Sequence, residues 1–283
     1  MMRVLKYVNN NFNGYYHLLN NRTICLFMKL GLENKRILIT GSSRGIGLGI
    51  AKNFLLEGAK VCISSRNKKQ LKDAKDLLSK SFDEKNILAV NCDFTNVEEI
   101  KKLKNIILEK WNALDIVIAN IGDGDSSIES LPDDRCWSRT WSSNFDSALF
   151  TSRVFLPVLE QNKGNLLFIS SIAGVESIGA PVDYSTAKTA LIALSKNMAR
   201  KLGGKVRVNV LAPGNIFFNN GVWDKKLKAN PDAVKSYIQS NVPMNRFGEI
   251  QDIANTALFI CSEKSSFTTG SVFVVDGGQT HSL

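Results

Sequence analysis

The sequence predicts one α/β domain, a doubly wound parallel sheet of about seven strands with helices on both faces. Two observations carry that reading. From Lys35 onward, short β-branched runs alternate with longer helical stretches, the rhythm of βαβ units. Several of those runs are also apolar on both faces, as strands covered by helices on both sides must be. No linker, repeat or change of composition interrupts the pattern.

The strand runs are RILIT (36–40), KVCIS (60–64), ILAVN (87–91), DIVIAN (115–120), NLLFIS (165–170), VRVNVLA (206–212) and SVFVVD (271–276). Helices are predicted over 45–57, 67–80, 96–111, 135–161, 183–202 and 250–262, where apolar residues recur three and four apart. Asn67, Thr95 and Asp183 are the expected entry or capping residues. Right-handed crossovers place every strand's C-terminal end on one edge of the sheet, where ligands bind.

Composition narrows the function. The 283 residues, 44% hydrophobic and 22% charged, are ordinary for a globular protein and exclude collagen-like or disordered chains. No run approaches the ~18 apolar residues of a membrane span, so a cytoplasmic protein without a membrane partner is expected. His17 and His281 lie near opposite ends, which argues against a His-based nucleophile triad or a multi-His zinc centre. Cys25, Cys62, Cys92, Cys136 and Cys261 contain no C-x-x-C pair; they read as reduced thiols filling the core, with no metal site.

The net charge of +10 is spread over helix faces that also carry acids, as at 68–75 and 98–104. That pattern suits solubility and a phosphorylated ligand. It does not suit nucleic acid, because aromatics are not interleaved with the basic residues. The first 27 residues differ from the rest, with six asparagines, no acid and no apolar period. They are expected to be a disordered or non-native leader, with Met28 as the working start and 28–283 as the domain.

Directly after the first strand comes TGSSRGIG (40–47), running into a helix. Gly41, Gly45 and Gly47 allow a sharp turn and close approach to a pyrophosphate, while the helix N-terminus aims free N–H groups at it. Ser43, Arg44 and Ile46 complete the predicted loop contacts. Downstream, Tyr184 and Lys188 in YSTAK are four apart, on one helical face, and follow Ser171 at the end of the fifth strand by 13 residues. Ser170 is the nearest competitor of Ser171; spacing to Tyr184 favours Ser171. Reduction of a ketone creates an alkoxide that needs a proton from close range, and a cation one turn away favours a phenolate. Tyr184 is therefore the expected general acid/base, Lys188 its electrostatic tuner and Ser171 a hydrogen-bond donor to the carbonyl.

Taken in order, T-G-x-x-x-G-x-G, CDF (92–94), Asn120, Y-x-x-x-K, the PG pair (213–214) and TGSVFVVDGG (269–278) resemble the short-chain dehydrogenase/reductases, in their compact, 3-ketoacyl-reductase-like branch. The likeness runs from about Met28 to Gly278. It implies a Rossmann domain, a nicotinamide cofactor and a small carbonyl or alcohol substrate. It also implies a homotetramer or homodimer. By the same resemblance Asp93 and Phe94 meet the adenine, and Asn120, Gly122, Pro213, Gly214 and Ile216 line the cofactor. Lys188 further bonds the nicotinamide ribose, and Asn144 anchors a proton-relay water.

The second strand ends in Ser64, Ser65 and Arg66, with no acid to accept a ribose 2′-hydroxyl. Arg66 and Arg44 can instead grip a 2′-phosphate, which predicts NADP(H) rather than NAD(H). The chain departs from the family pattern in two places. ANIG (119–122) puts Ile121 beside the cofactor, and Phe218 stands where a Thr often touches the nicotinamide. The stretch 215–243, aromatic and basic, reads as a mobile substrate lid. A nucleotide-binding sensor or scaffold that kept the fold and lost turnover is the alternative function.

Overall fold

The computed structural model describes residues 17–19, 22–24, 29–124, 126–127 and 129–282. A short antiparallel pair, His17–Leu19 with Arg22–Ile24, belongs to a unit of its own. The rest of the expected leader lies outside the described residues, as does Cys25.

The second unit, Gly31–Leu283, holds a seven-stranded sheet. Its strands are β1 (Arg36–Ile39), β2 (Lys60–Ser65), β3 (Ile87–Asn91), β4 (Ile116–Ala119), β5 (Asn165–Ile169), β6 (Arg207–Pro213) and β7 (Val272–Val275). All pair in parallel in the order β3-β2-β1-β4-β5-β6-β7. The five inner strands are buried almost throughout, which is why their sequences are apolar without alternation; the edge strand β7 alternates between exposed and half-buried residues. The chain leaves β1 toward β2 on one side and β4 toward β5 on the other, so the crevice between the ends of β1 and β4 is the switch point of the sheet.

The helices are α1 (Gly45–Leu56), α2 (Lys68–Ser79), α3 (Val97–Trp111), α4 (Asp134–Trp141), α5 (Ser147–Gln161), α6 (Val182–Leu202), α7 (Val222–Ala229), α8 (Pro231–Asn241) and α9 (Ile250–Cys261). Asn67 caps α2 as expected, its side chain accepting from Gln70 N at 2.9 Å. The cap of α3 is Asn96, not Thr95: Asn96 Oδ1 accepts from Glu98 N and Glu99 N, while Thr95 turns its hydroxyl back onto Asp93. Asp183 is no cap either. It lies inside the first turn of α6, behind Pro181, and is 1% exposed.

The helix predicted over 135–161 is divided by a π turn, Ser142–Asp146. Here Ser147 N reaches back five residues to Ser142 O, leaving the Ser143 carbonyl to the Ser147 hydroxyl at 2.7 Å. The Thr140 carbonyl takes the Asn144 amide at 2.9 Å and the Ser143 hydroxyl at 3.1 Å. Three short polar side chains thus satisfy what the widened turn leaves unpaired. Within 215–243, the expected lid, the chain forms α7 and α8, with Pro231 at the start of α8 and Asn230 as its cap.

Burial pushes the thiols of Cys62, Cys92 and Cys261 well above the ordinary range, so they are inert core groups. No helix among the described residues is long and apolar enough to cross a membrane.

Candidate active site

The glycine loop is braced from β4. Asn120 Nδ2 donates to Thr40 O and Gly41 O at 3.0 Å each, and its backbone N–H bonds Thr40 Oγ1. A Cβ at Gly47 would lie 2.5 Å from that amide nitrogen and 2.6 Å from Gly41 O, so only glycine lets strand end and loop meet. Asn120, expected to line the cofactor, uses its side-chain amide to hold the loop in shape. Gly41 and Gly45 adopt positive φ, at +61° and +56°. Helix α1 starts at Arg44 with no capping side chain and no acid in its first turn, unlike α2, α3, α4 and α8, which are capped by Asn67, Asn96, Asp133 and Asn230. Its first N–H groups receive no side-chain cap, the condition under which a helix N-terminus can meet an anion.

Ser43 and Ile46 are half-buried in the loop, and Arg44 and Arg66 are exposed. Ser65 is nearly buried, its hydroxyl accepting from Asn67 N. No carboxylate stands among Ser64, Ser65 and Arg66 at the end of β2, and the exposed Arg44 and Arg66 are the cations available there to a 2′-phosphate. Asp93 spends one oxygen on Thr95 N and Oγ1, and Phe94 is 2% exposed. Across the crevice, Ile121 touches the position of a Gly41 Cβ at 3.0 Å. Phe218 packs on Gly45, where a Cβ would come within 2.9 Å of the ring, and Arg44 Nη1 reaches Asn220 O at 3.5 Å. The root of the 215–243 segment therefore rests on the glycine loop. Pro213 ends β6, Gly214 gives room to Asp276, and Ile216 is buried in a bridge to Gly248.

Ser171, Tyr184 and Lys188 converge beyond the end of β5. Ser171 faces the Tyr184 hydroxyl closely enough to pull its pKa down, and its own Oγ accepts from Ala173 N at 3.1 Å. Lys188 is 2% exposed; Nζ donates to Ile169 O at 3.2 Å and lies 5.8 Å from the centre of the Tyr184 ring. Ser170 is structural, donating to Lys188 O at 2.8 Å. Gly174 is needed beside it, since a Cβ there would sit 2.6 Å from the Lys188 carbonyl carbon.

The electrostatics differ from the sequence expectation. Tyr184 is pushed above the ordinary phenol value by burial, against which Ser171 pulls down and Asp123 adds a further upward push. Lys188 does not bring it below that value. Burial without a carboxylate partner drives Lys188 itself down to about 8. The phenol at neutral pH is thus a protonated acid beside a Lys188 amine whose pKa burial lowers but that is still mostly charged.

Asn144 is fully buried in the π turn. It grips the backbone of Asp123 from both sides, accepting from its N–H at 3.0 Å and donating to its C=O at 2.9 Å. Gly122 lets this happen: a Cβ there would lie 2.7 Å from Lys188 Nζ and 3.0 Å from Asn144 Oδ1. Asn144, Gly122 and Lys188 are therefore one cluster.

One functional neighbour was missed in the sequence. The buried Asp183 carboxylate accepts the Ser126 hydroxyl and the Tyr184 N–H, the latter at 2.8 Å, tying the loop after β4 to the helix of Tyr184. These bonds hold it below the usual carboxylate range against the opposing pull of burial. Its position next to Tyr184 was the available signal, but it resembled an ordinary cap.

Two cavities lie among the described residues. One of about 550 Å³ runs along α1 past Phe82, Phe218 and Ile250, and one of about 350 Å³ lies by Asn215, Arg246 and Asp276. Neither is lined by Ser171, Tyr184 or Lys188. Among the described residues no group of three His, Cys, Asp or Glu side chains could hold a metal ion.

A doubly wound sheet with an uncapped glycine-loop helix at its switch point, and a Ser-Tyr-Lys cluster one strand away, defines an oxidoreductase of the nucleotide-binding α/β class. The comparisons narrow this. A family profile described as Enoyl-(Acyl carrier protein) reductase matches residues 41–280. The chain is 32% identical over 254 residues to the short-chain dehydrogenase/reductase SDRA of Arabidopsis thaliana, covering 89% of this chain and 97% of that one. It is 33% identical over 249 residues to the 3-oxoacyl-[acyl-carrier-protein] reductase FabG of Chlamydia muridarum, covering 87% and 98%. Among solved structures, L-sorbose reductase from Gluconobacter frateurii, complexed with NADPH and L-sorbose, superposes with a TM-score of 0.83 at 30% identity, over 90% of this chain and all of that one. The chain belongs to the short-chain dehydrogenase/reductase family, and is an oxidoreductase with 3-ketoacyl-reductase-like relatives.

Proposed function

We propose that this chain interconverts a ketone and a secondary alcohol with NADP(H), using Tyr184 as general acid and base. The single observation that carries the reading is the convergence of Ser171, the protonated phenol of Tyr184 and the buried Lys188 ammonium beyond the end of β5. NADPH, when bound, supplies the hydride. The residues do the rest: the N-terminus of α1 with Arg44 and Arg66 binds phosphates, Ser171 donates a hydrogen bond to the carbonyl oxygen, and Tyr184 gives that oxygen its proton. Lys188, over the ring, favours the phenolate as it forms. At neutral pH the phenol is protonated, as a group that hands a proton to an alkoxide must be.

Asn144, holding Asp123, keeps the loop after β4 against Lys188, and the 215–243 segment acts as a lid over the substrate. The reading includes a small-molecule substrate, a cytoplasmic location and a homodimer or homotetramer. NADP(H) is favoured by the missing acid at the end of β2, and the L-sorbose reductase neighbour is an NADPH complex.

Tyr184→Phe is the decisive variant. NADPH binding, followed by quenching of intrinsic fluorescence, is expected to stay within about twofold, while turnover of a carbonyl panel falls by ~10²–10⁴, the usual contribution of a positioned acid. Retained turnover would overturn the mechanism.

A further inference from the structure

Beyond β7 the chain does not run off into solvent. Asp276 folds it back, its carboxylate accepting from Gly278 N at 2.9 Å, Thr280 N at 2.7 Å and Thr280 Oγ1 at 2.9 Å. Gly277 and Gly278, at φ +67° and +85°, lie against the exit of α8: a Cβ at either would be 3.0 Å from Val242 or 3.2 Å from Pro243. Met244 N adds a bond to Gly277 O at 3.2 Å. This segment is shaped to pass closely along the 215–243 insertion.

Its next residue, Gln279, is 5% exposed, and both ends of its amide are used by different parts of the chain. Oε1 accepts from Asn215 Nδ2 at 2.7 Å, one residue past the Pro213–Gly214 pair. Nε2 donates to Tyr237 OH on α8 at 3.1 Å. Tyr237 in turn stacks on Trp223 of α7 with ring centres 5.3 Å apart, so the grip on α8 extends to α7. Two residues on, His281 N and Ser282 N both donate to Glu176 Oε2 at 2.8 Å. Glu176 lies in the loop between Ser171 and Tyr184.

Three segments are joined in this way: the loop after β5, the exit of β6, and the paired helices α7 and α8. All follow the C-terminal ends of β5 and β6, the sheet edge at which Ser171, Tyr184 and Lys188 gather. None of these bonds involves the glycine loop, α1 or the end of β2. A buried amide whose donor and acceptor are both satisfied by side chains distant in sequence is a joint, because replacing it leaves two half-buried polar partners, Asn215 and Tyr237, without it.

We propose that residues 276–282 form a strap that sets the shape of the substrate cleft, with Gln279 and Glu176 as its positioning residues. The proposal rests on the carbonyl-reduction reading for the identity of that cleft. Neither residue touches the reacting atoms. Gln279 fixes the height of α8 over the β6 exit, and Glu176 fixes the loop that carries the walls on either side of Ser171 and Tyr184. Lys188 is held separately by Ile169 O and Ser171 by Ala173 N, so loosening the strap leaves the proton-transfer groups in place.

The test uses the full chain and the variants Gln279→Ala, Glu176→Ala and Glu176→Gln, the last keeping an acceptor oxygen for the two N–H groups. Hydrogen exchange is expected to speed up at 233–241 in Gln279→Ala and at 175–180 in Glu176→Ala, with 45–56 and the Ala173 amide unchanged. Using L-sorbose and a 3-oxoacyl thioester as probes, KM for the carbonyl is expected to rise about fivefold or more in both alanine variants, the size of one lost hydrogen bond. Turnover number and NADPH Kd stay within about twofold, the mark of lost substrate binding rather than lost chemistry. Glu176→Gln recovers most of the KM. Unchanged exchange at both segments, or a weakened NADPH Kd matching the change in KM, overturns the strap. Failure of the unmodified chain to reduce either probe counts against the reduction reading alone, since the exchange measurement decides the strap without turnover.

Discussion

The glycine loop and the 215–243 insertion share one edge of the sheet, yet they are held by opposite means. The loop is fixed by backbone: glycines that a Cβ would disrupt, one Asn from β4, and strands buried almost throughout. The insertion is fixed by side chains, through the Phe217–Phe247, Trp223–Phe247 and Trp223–Tyr237 ring contacts and the Gln279 amide, while α7 buries only Asp224 and α8 only Val234 and Ile238. A cofactor common to a whole family can be met by a rigid cradle. A substrate that differs from member to member is better met by a wall whose side chains can be exchanged without disturbing the sheet.

Lys188 stands between the two regions, and its removal should have the largest effect. Its value of about 8, against an ordinary 10.5, means the folded state disfavours the charged form. That penalty is full below about pH 8 and disappears as pH rises toward the unfolded value, so stability should climb across this window. Lys188→Met is expected to raise stability at neutral pH by ~3 kcal/mol, abolish the climb and cut turnover by ~10² or more. Thermal melts across pH, alongside turnover, check this; a lowered Tm at pH 7 would mean the ammonium is compensated in the fold.

Gly47→Ala attacks the rigid side alone. Its Cβ would press on Asn120 and Gly41 at 2.5 and 2.6 Å, and overpacking of this kind costs ~1–3 kcal/mol. NADPH affinity should fall while exchange rates over 222–241 stay put. If the insertion loosens as well, the two regions are not independent.

The smallest effect sharpens the cofactor side. Ser65→Asp with Arg66→Ala should shift the NADPH/NADH preference by roughly tenfold to 150-fold, the range of one or more charge-assisted hydrogen bonds. Steady-state kinetics with both cofactors reads it directly, and an unchanged ratio would remove Arg66 from the phosphate site.

What the sequence disclosed follows the same division. The strands, the glycine turn and the Ser171, Tyr184 and Lys188 spacing are local patterns, and each lies where its period or spacing puts it. The cap of α3 slipped by one residue because Thr95 and Asn96 are both good capping types, and only the pull of Asp93 on Thr95 decides between them. The π turn was hidden because no residue type marks the point where a helix takes up an extra residue. The Asp183–Ser126 tie and the Gln279 joint span 57, 64 and 42 residues, and nothing local marks them. The direction of the Tyr184 shift was missed for a different reason: spacing reports a neighbouring charge but not the loss of water around it.

The π turn at Ser142–Asp146 has an evolutionary consequence. Each residue of a helix advances its surface by about 100°, so one extra residue turns everything downstream by that angle. Deleting a single codon within 142–146 would restore a regular helix and swing Asn144 off the Asp123 backbone it now clasps. This stretch should therefore accept substitutions more readily than changes of length.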